Sequence, residues 1–191
     1  MFMIRSLMFV ALLALPGTSG MATPSSEMTT WFAHLREGMW VKVDGEMRDG
    51  ALHAEDIRMY PGELDESEVS SNVAAVDVTQ LSLQTEMGIT VQGTERTDLQ
   101  GPKGHRHIGF PYLTVGDRIE TEGQWQKDGT FLAEEIEIER SKRLLPDLEH
   151  KNEHEVTARI ESIDTETHSV QLLGIRVFFS PETRNKSLSL D

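Results

Sequence analysis

The sequence predicts an all-β protein made of two small antiparallel barrels, one contiguous and one closed by the N- and C-terminal segments. Two observations carry that prediction. A hairpin-like stretch, Leu35 to Arg58 (LREGMWVKVDGEMRDGALHAEDIR), returns as Leu113 to Glu137 (LTVGDRIETEGQWQKDGTFLAEEIE). A three-strand-like stretch, Val69 to Glu95, returns as Glu155 to Thr183. The order hairpin, triple, hairpin, triple leaves one complete unit in the middle and splits the other between the two ends.

Residues 1–22 read as a secretory signal peptide. Arg5 supplies the positive start, Leu7 to Leu15 the apolar core, and Pro16, Gly17, Ser19, Gly20 and Ala22 the small-residue exit region. The apolar run is too short for a stable bilayer-spanning helix. The expected setting is therefore the periplasm or exterior of a bacterial cell, with no stable membrane span once the signal is removed. There is no Cys in the chain, so burial rather than disulfide bonding must hold the exported fold together. The formal net charge is −14 and becomes one unit more negative when Arg5 leaves. Such a balance argues against nucleic acid and anionic membrane surfaces as partners, since both need a basic patch.

Residues 23–62 form an N-terminal segment with the first hairpin. Trp31 to Leu35 is a short helix or an apolar lead-in to it. Gly38 and Gly45 recur at the same offset as Gly116 and Gly123, and Asp49-Gly50 recurs as Asp128-Gly129 after a one-residue insertion. Asp-Gly between alternating runs is a strong hairpin signal, because a type I′ turn needs positive φ. Met39, Val41 and Val43 share one face; Ile119 and Thr121 share the equivalent one. On the return strand the alternation breaks. Leu52 and Ala54 are followed by Ile57, and Phe131 and Ala133 by Ile136, which predicts a bulge or bend at Glu55-Asp56 and at Glu134-Glu135.

Residues 63–140 form the central unit, 141–153 a linker, and 154–191 a three-strand half that completes the N-terminal hairpin. In the triple, Val73 and Val76 mark the first strand, Asp77 to Gln80 the turn, Leu81 and Leu83 the second strand, and Ile89 and Val91 the third. Ile160, Asp164, Val170, Leu172 and Gly174-Ile175 stand at corresponding places. Five short strands with a longer connection after the third outline a small OB-like barrel. Here that connection is Arg96 to Tyr112. An unpaired sheet edge is an aggregation hazard, which argues that the two end segments close on each other.

Val73, Val76-Asp77, Gly88-Ile89-Thr90-Val91, Leu113-Thr114-Val115-Gly116-Asp117, Gly123, Asp128-Gly129, Ala133 and Ile136 resemble the pattern of the bacterial family called domain of unknown function 5666. One full unit, Val69 to Arg140, is covered, with half units on either side. The resemblance implies an OB-like barrel of exported proteins, and implies no reaction and no catalytic residue. The chain departs from the pattern in its long His-bearing connection before Leu113.

Trp40 is expected on the outward face with Lys42 and Asp44. It is then free to stack on a ligand, or it is covered by the other barrel or by Trp31-Phe32. The ligand face of an OB-like barrel lies on its middle strands and adjoining loops. The candidate ligand or partner face is therefore Trp40, Lys42, Arg118, Glu120 and Gln124. His105 and His107 lie two residues apart in a Gly/Pro-rich loop. His150 and His154 are spaced i,i+4 and share a face if Asp147 to Glu155 is helical. Imidazole pairs with carboxylates bind copper or zinc, and Met39, Met47 and Met59 lie beside the first hairpin. A solvated loop and a polar linker are the plainer readings of those two stretches.

No nucleophile elbow, Walker loop or dinucleotide-binding Gly pattern occurs. The expected function is a non-catalytic binding or interaction module for a protein, glycan or small ligand, with no cofactor. The alternative is a copper- or zinc-binding protein using the His pairs.

Overall fold

The computed structural model describes residues 26–102, 108–141, 144 and 152–187. The described residues form an all-β protein with one short helix, α1 (Ser26–Phe32), and a 3-10 turn at Phe110–Tyr112. The strands are β1 (Trp40–Arg48), β2 (Ala51–Met59), β3 (Ser67–Asp77), β4 (Ser82–Thr85), β5 (Thr90–Gln92) and β6 (Asp98–Gln100), then β7 (Arg118–Trp125) and β8 (Phe131–Arg140). The C-terminal part adds β9 (His154–Arg159), β10 (Ser162–Asp164), β11 (Ser169–Leu172), β12 (Ile175–Phe178) and β13 (Arg184–Asn185). All thirteen join one hydrogen-bonded sheet.

Two ladders with the same pairing plan make up that sheet. In the central one, β3 pairs β4, β4 pairs β5, β5 runs parallel to β8, β8 pairs β7, and β7 returns to β3. In the terminal one, β10 pairs β11, β11 pairs β12, β12 runs parallel to β2, β2 pairs β1, and β1 returns to β9. Only Ile160 and Glu161 separate β9 from β10, so together these two fill the place of the long β3. The front and back of the chain therefore meet as expected. Val41 lies opposite Ala158, and Ile160 exchanges backbone bonds with this segment: Gly38 N donates to Ile160 O (2.8 Å) and Ile160 N to Met39 O (2.9 Å). Gly116 with Val73 and Val73 with Asp117 repeat those bonds in the central ladder, at 2.8 and 2.9 Å.

The expected bulges are present. Asp44 faces Asp56 but Gly45 faces Ala54, which leaves Glu55 as the extra residue; Glu134 is skipped in the same way between Glu122↔Glu135 and Gly123↔Ala133. Glycine is required on the facing strand. A Cβ at Gly45 would stand 2.2 Å from His53 O, and one at Gly123 2.1 Å from Leu132 O. The Asp-Gly turn of the first hairpin has positive φ at both residues, 52° at Asp49 and 78° at Gly50, as a type I′ turn demands.

Two elements were not foreseen. β6 and β13 add on parallel to β8 and β2. Each follows a loop pinned by a threonine. Thr97 Oγ1 donates to Ala133 O (2.9 Å) and accepts from Thr94 N (2.8 Å); Thr183 Oγ1 donates to Ala54 O (2.8 Å) and accepts from Ser180 N (2.9 Å). The connection expected from Arg96 to Tyr112 is thus partly structured.

The core follows strand parity. Val41, Val43, Ile57, Val69, Val73, Ile119, Ile136, Val156 and Ile160 are buried, each such side chain stabilising the fold by roughly 1.5–3 kcal/mol relative to exposure. Trp31 and Phe32 of α1 pack edge-on against Phe179, at 5.4 and 5.8 Å between ring centroids. In the central ladder Phe110 takes that place. It lies over Gly93, where any Cβ would come within 2.5 Å of the ring. The two ladders are joined by β3 pairing with β9.

Candidate functional site

The expected face separates into two places. β1, β9, β3, β7 and β8 lie side by side, and their polar positions form rows across the sheet. One row runs Lys42, Thr157, Glu68, Glu122; the next runs Asp44, Glu155, Ser70, Glu120, Glu137. Lys42 Nζ sits 2.5 Å from Glu155 and 3.6 Å from Glu68. Burial pulls its pKa down, but the bond to Glu155 and then the charges of Glu155 and Glu68 outweigh this and raise it. Burial, and then the hydrogen bond and charge of Glu155, push Asp44 up to about 6. Glu120 is raised by burial and by Glu139, Glu155, Glu122 and Glu137 around it.

Arg118 does not present itself to solvent. It is 8% exposed; its Nε donates to Glu139 (3.2 Å) and its Nη1 to the carbonyl of Glu153. Glu139 of β8 and the carbonyl of Glu153, in the segment that leads into β9, cover it. Trp40 is covered too, at 5% exposure. Its Nε1 donates to Glu63 (3.3 Å), Arg159 lies over its ring at 5.2 Å, and Arg159 pairs with the same Glu63. The covering groups are the connector after β2 and the end of β9, rather than Trp31-Phe32.

Trp40 and Gln124 nevertheless line the same cavity, of about 390 Å³, with Trp125, Arg159, Glu161 and Leu173. It lies where the two ladders meet. The Trp125 ring approaches Gly174 closely enough that a Cβ there would be 3.1 Å away. This cavity is a seam between halves.

His105, His107 and His150 lie outside the described residues. His154 is described, and it opens a strand instead of belonging to a helix that runs to Glu155. β-pairing with β1 wins there over any local helical preference. The ring is fully buried, with Nδ1 2.9 Å from Ser71 Oγ and Nε2 3.1 Å from Asn152 Oδ1. Either nitrogen would have to give up a bond before meeting a metal. Among the described residues, no three His or carboxylate groups are placed to hold one.

A cleft of about 790 Å³ lies elsewhere on the terminal ladder. Arg48, His53, Glu55, Phe178, Glu182 and Arg184 line it, over the buried Ala54 and Phe179. The end of β1, the middle of β2, the end of β12 and the segment that follows it build it. The Phe178 and His53 rings lie 5.5 Å apart at 32°, and Arg176 stands 5.9 Å over Phe178. Arg184 grips Asp56 through two bonds of 2.7 and 2.8 Å, and Arg48 bonds Glu46 at 2.6 and 3.2 Å. A guanidinium carries more donors than two bonds consume. The sequence signal was Phe178-Phe179 itself: in a strand only one of two neighbours faces the core.

The two ladders with the same pairing plan define a small all-β protein. Residues 71–137 match the family described as Domain of unknown function (DUF5666). That span begins in β3 and ends in β8, so it takes in most of the central ladder. No curated protein and no solved structure matches the chain. Among the described residues, no helix is long and apolar enough to cross a membrane.

Proposed function

We propose that the protein is an exported, non-catalytic binding module of two OB-like barrels, and that it takes a ring-bearing small ligand or glycan in the cleft beside Phe178. The barrel reading draws support from the pairing plan. Each ladder returns to its first strand, and each has the single parallel step between third and fifth strands that a five-stranded Greek-key barrel needs. Export draws on Arg5 and the Leu7 to Leu15 run. The cleft carries the functional reading. In an OB-like barrel the ligand face is the second and third strands with the loop between the fourth and fifth. Phe178 and the Arg48–Gly50 turn occupy those places in the terminal unit.

The lining suits an uncharged polar ring. Phe178 offers a flat apolar platform, Glu55 and Glu182 accept from hydroxyls, and Arg48 and Arg184 donate to them. The mixed charges leave no basic surface for a polyanion. The test is titration of the isotope-labelled chain with chito-, cello- and malto-hexaose and a fragment library, followed by amide shifts. Saturable shifts at His53, Phe178 and the Asp49-Gly50 turn are expected, weakened at least tenfold by Phe178→Ala. Shifts confined to other surfaces, or none, would sink the reading.

A further inference from the structure

The connector from Tyr60 to Ser67 borders the polar face and lines a further, smaller pocket of about 260 Å³. Asp65, Glu66, Glu68 and Glu122 bring four carboxyl groups to its wall, beside Tyr60, Leu64, Ser67 and Thr157. Carboxylates alone would be a solvated acidic surface. Thr157 is the independent observation. It is 4% exposed, it lines the pocket, and its Oγ1 is buried without a hydrogen-bond partner. An unpaired buried hydroxyl costs about 1–3 kcal/mol, so a group that completes its bonding would be bound in part by relieving that cost.

The neighbouring residues show which group fits. Thr157 lies directly between Lys42 and Glu68 in its row, and Glu122 is next beyond Glu68. An ammonium already stands on this row, with Lys42 Nζ on Glu155 and Glu68. In the matching row of the other half, the place of Lys42 is held by Glu120, and the place of Thr157 by Ser70, which bonds Glu139 at 3.4 Å. Among the described residues, the hydroxyl at this place is therefore bonded in one half and without a partner in the other. An alkylammonium group meets all of its features: three N–H donors for the carboxylates and the threonine oxygen, and a cation beside the Tyr60 ring.

We propose that this pocket binds a primary ammonium group, presented by a free polyamine or by a lysine side chain. The strong negative charge of the chain draws such cations toward it. The site is separate from the cleft beside Phe178 and does not depend on it.

Calorimetric titration of the full chain with spermidine, and with the peptide acetyl-Gly-Lys-Gly-amide, tests the proposal at low and at physiological salt. Saturable binding of one molecule per chain is expected for at least one probe. Glu122→Gln and Glu66→Gln should each weaken it about tenfold, and Thr157→Val about threefold. Glu182→Gln, in the other cleft, should leave it unchanged. Binding of spermidine alone assigns the free amine; binding of the peptide assigns the lysine side chain. No saturable binding of either probe, or binding equally indifferent to Glu122→Gln, Glu66→Gln and Thr157→Val, overturns the site and leaves only diffuse charge attraction.

Discussion

Val69 lies directly opposite Val156 where β3 pairs β9. Each occupies the same place in its own ladder: Val73 and Ile160, which close the two ladders through identical backbone bonds, lie four residues further along in each case. On either side, Glu68 faces Thr157 and Ser70 faces Glu155. A residue that meets its own counterpart, flanked by reciprocal pairs, is the mark of a two-fold relation. The two halves are arranged like a symmetric dimer held by one shared strand pair, although they belong to one chain.

Replacing the bulge glycines should be costly in both halves alike. Gly45→Ala and Gly123→Ala are each expected to destabilise by roughly 1–3 kcal/mol, because the new methyl meets backbone oxygen that cannot move aside. Gly62→Ala has open space and should change little. Urea unfolding midpoints check all three.

The paired threonines give a second comparison. Loss of the hydroxyl in Thr183→Val should cost roughly 1–2 kcal/mol. Thr97→Val should cost less, since Thr183 is buried and Thr97 only half-buried. The two sites share no partner, so the double variant should be additive within about 0.5 kcal/mol.

Asp44 sets a pH dependence. Its folded pKa, about 6, lies above the ordinary carboxyl value of 3.8, because burial and then Glu155 disfavour the charge. The protonated form therefore favours folding. Its contribution is full below the ordinary carboxyl value and is lost as pH rises through 6. Asp44→Asn should accordingly raise the unfolding midpoint at pH 7.5 and make no difference near pH 3.5. Asp56 has the opposite sign. Burial raises it, but Lys186 and Arg184 outweigh that and hold it below the ordinary range. Its stabilisation is present at neutral pH and is lost in acid.

His154 is a structural residue in this arrangement. His154→Ala should cost about 2–4 kcal/mol from the emptied space and the lost bond to the Ser71 hydroxyl. Ser71→Ala should cost about 1–3 kcal/mol. A double-mutant cycle between them should return a coupling near 1 kcal/mol, measured by denaturation.

Much of the architecture was legible in the chain. The Asp-Gly turns and the parity break before Ile57 and Ile136 are local signals, and the structure realises them as a type I′ turn at Asp49-Gly50 and as bulges at Glu55 and Glu134; at Asp128-Gly129 only Gly129 has positive φ, 84°, so the second turn is not of that type. β6 and β13 were missed because Asp98–Gln100 and Arg184–Asn185 are short and polar, and are held by threonine loops and parallel pairing. Neither device has a period to detect. The site was harder for a related reason. Parity places Trp40 outward, and on its own strand that is correct. What covers it, Glu63 and Arg159, comes from a connector and from a strand far along the chain. Arg118 is hidden by the same route. Alternation reports which side of a sheet a residue takes, and says nothing about what later crosses that side.

The division of the terminal ladder between the two ends of the chain sets an order of events during synthesis. β1 and β2 leave the ribosome first, yet β9 to β12, their partners, arrive last. The central ladder can form in between and then offers the free half of β3 as a template on which β9 docks. A nascent chain released before Phe178 would keep its central half but leave the first hairpin with bare edges. Prematurely terminated products should therefore be the ones that quality-control proteases remove.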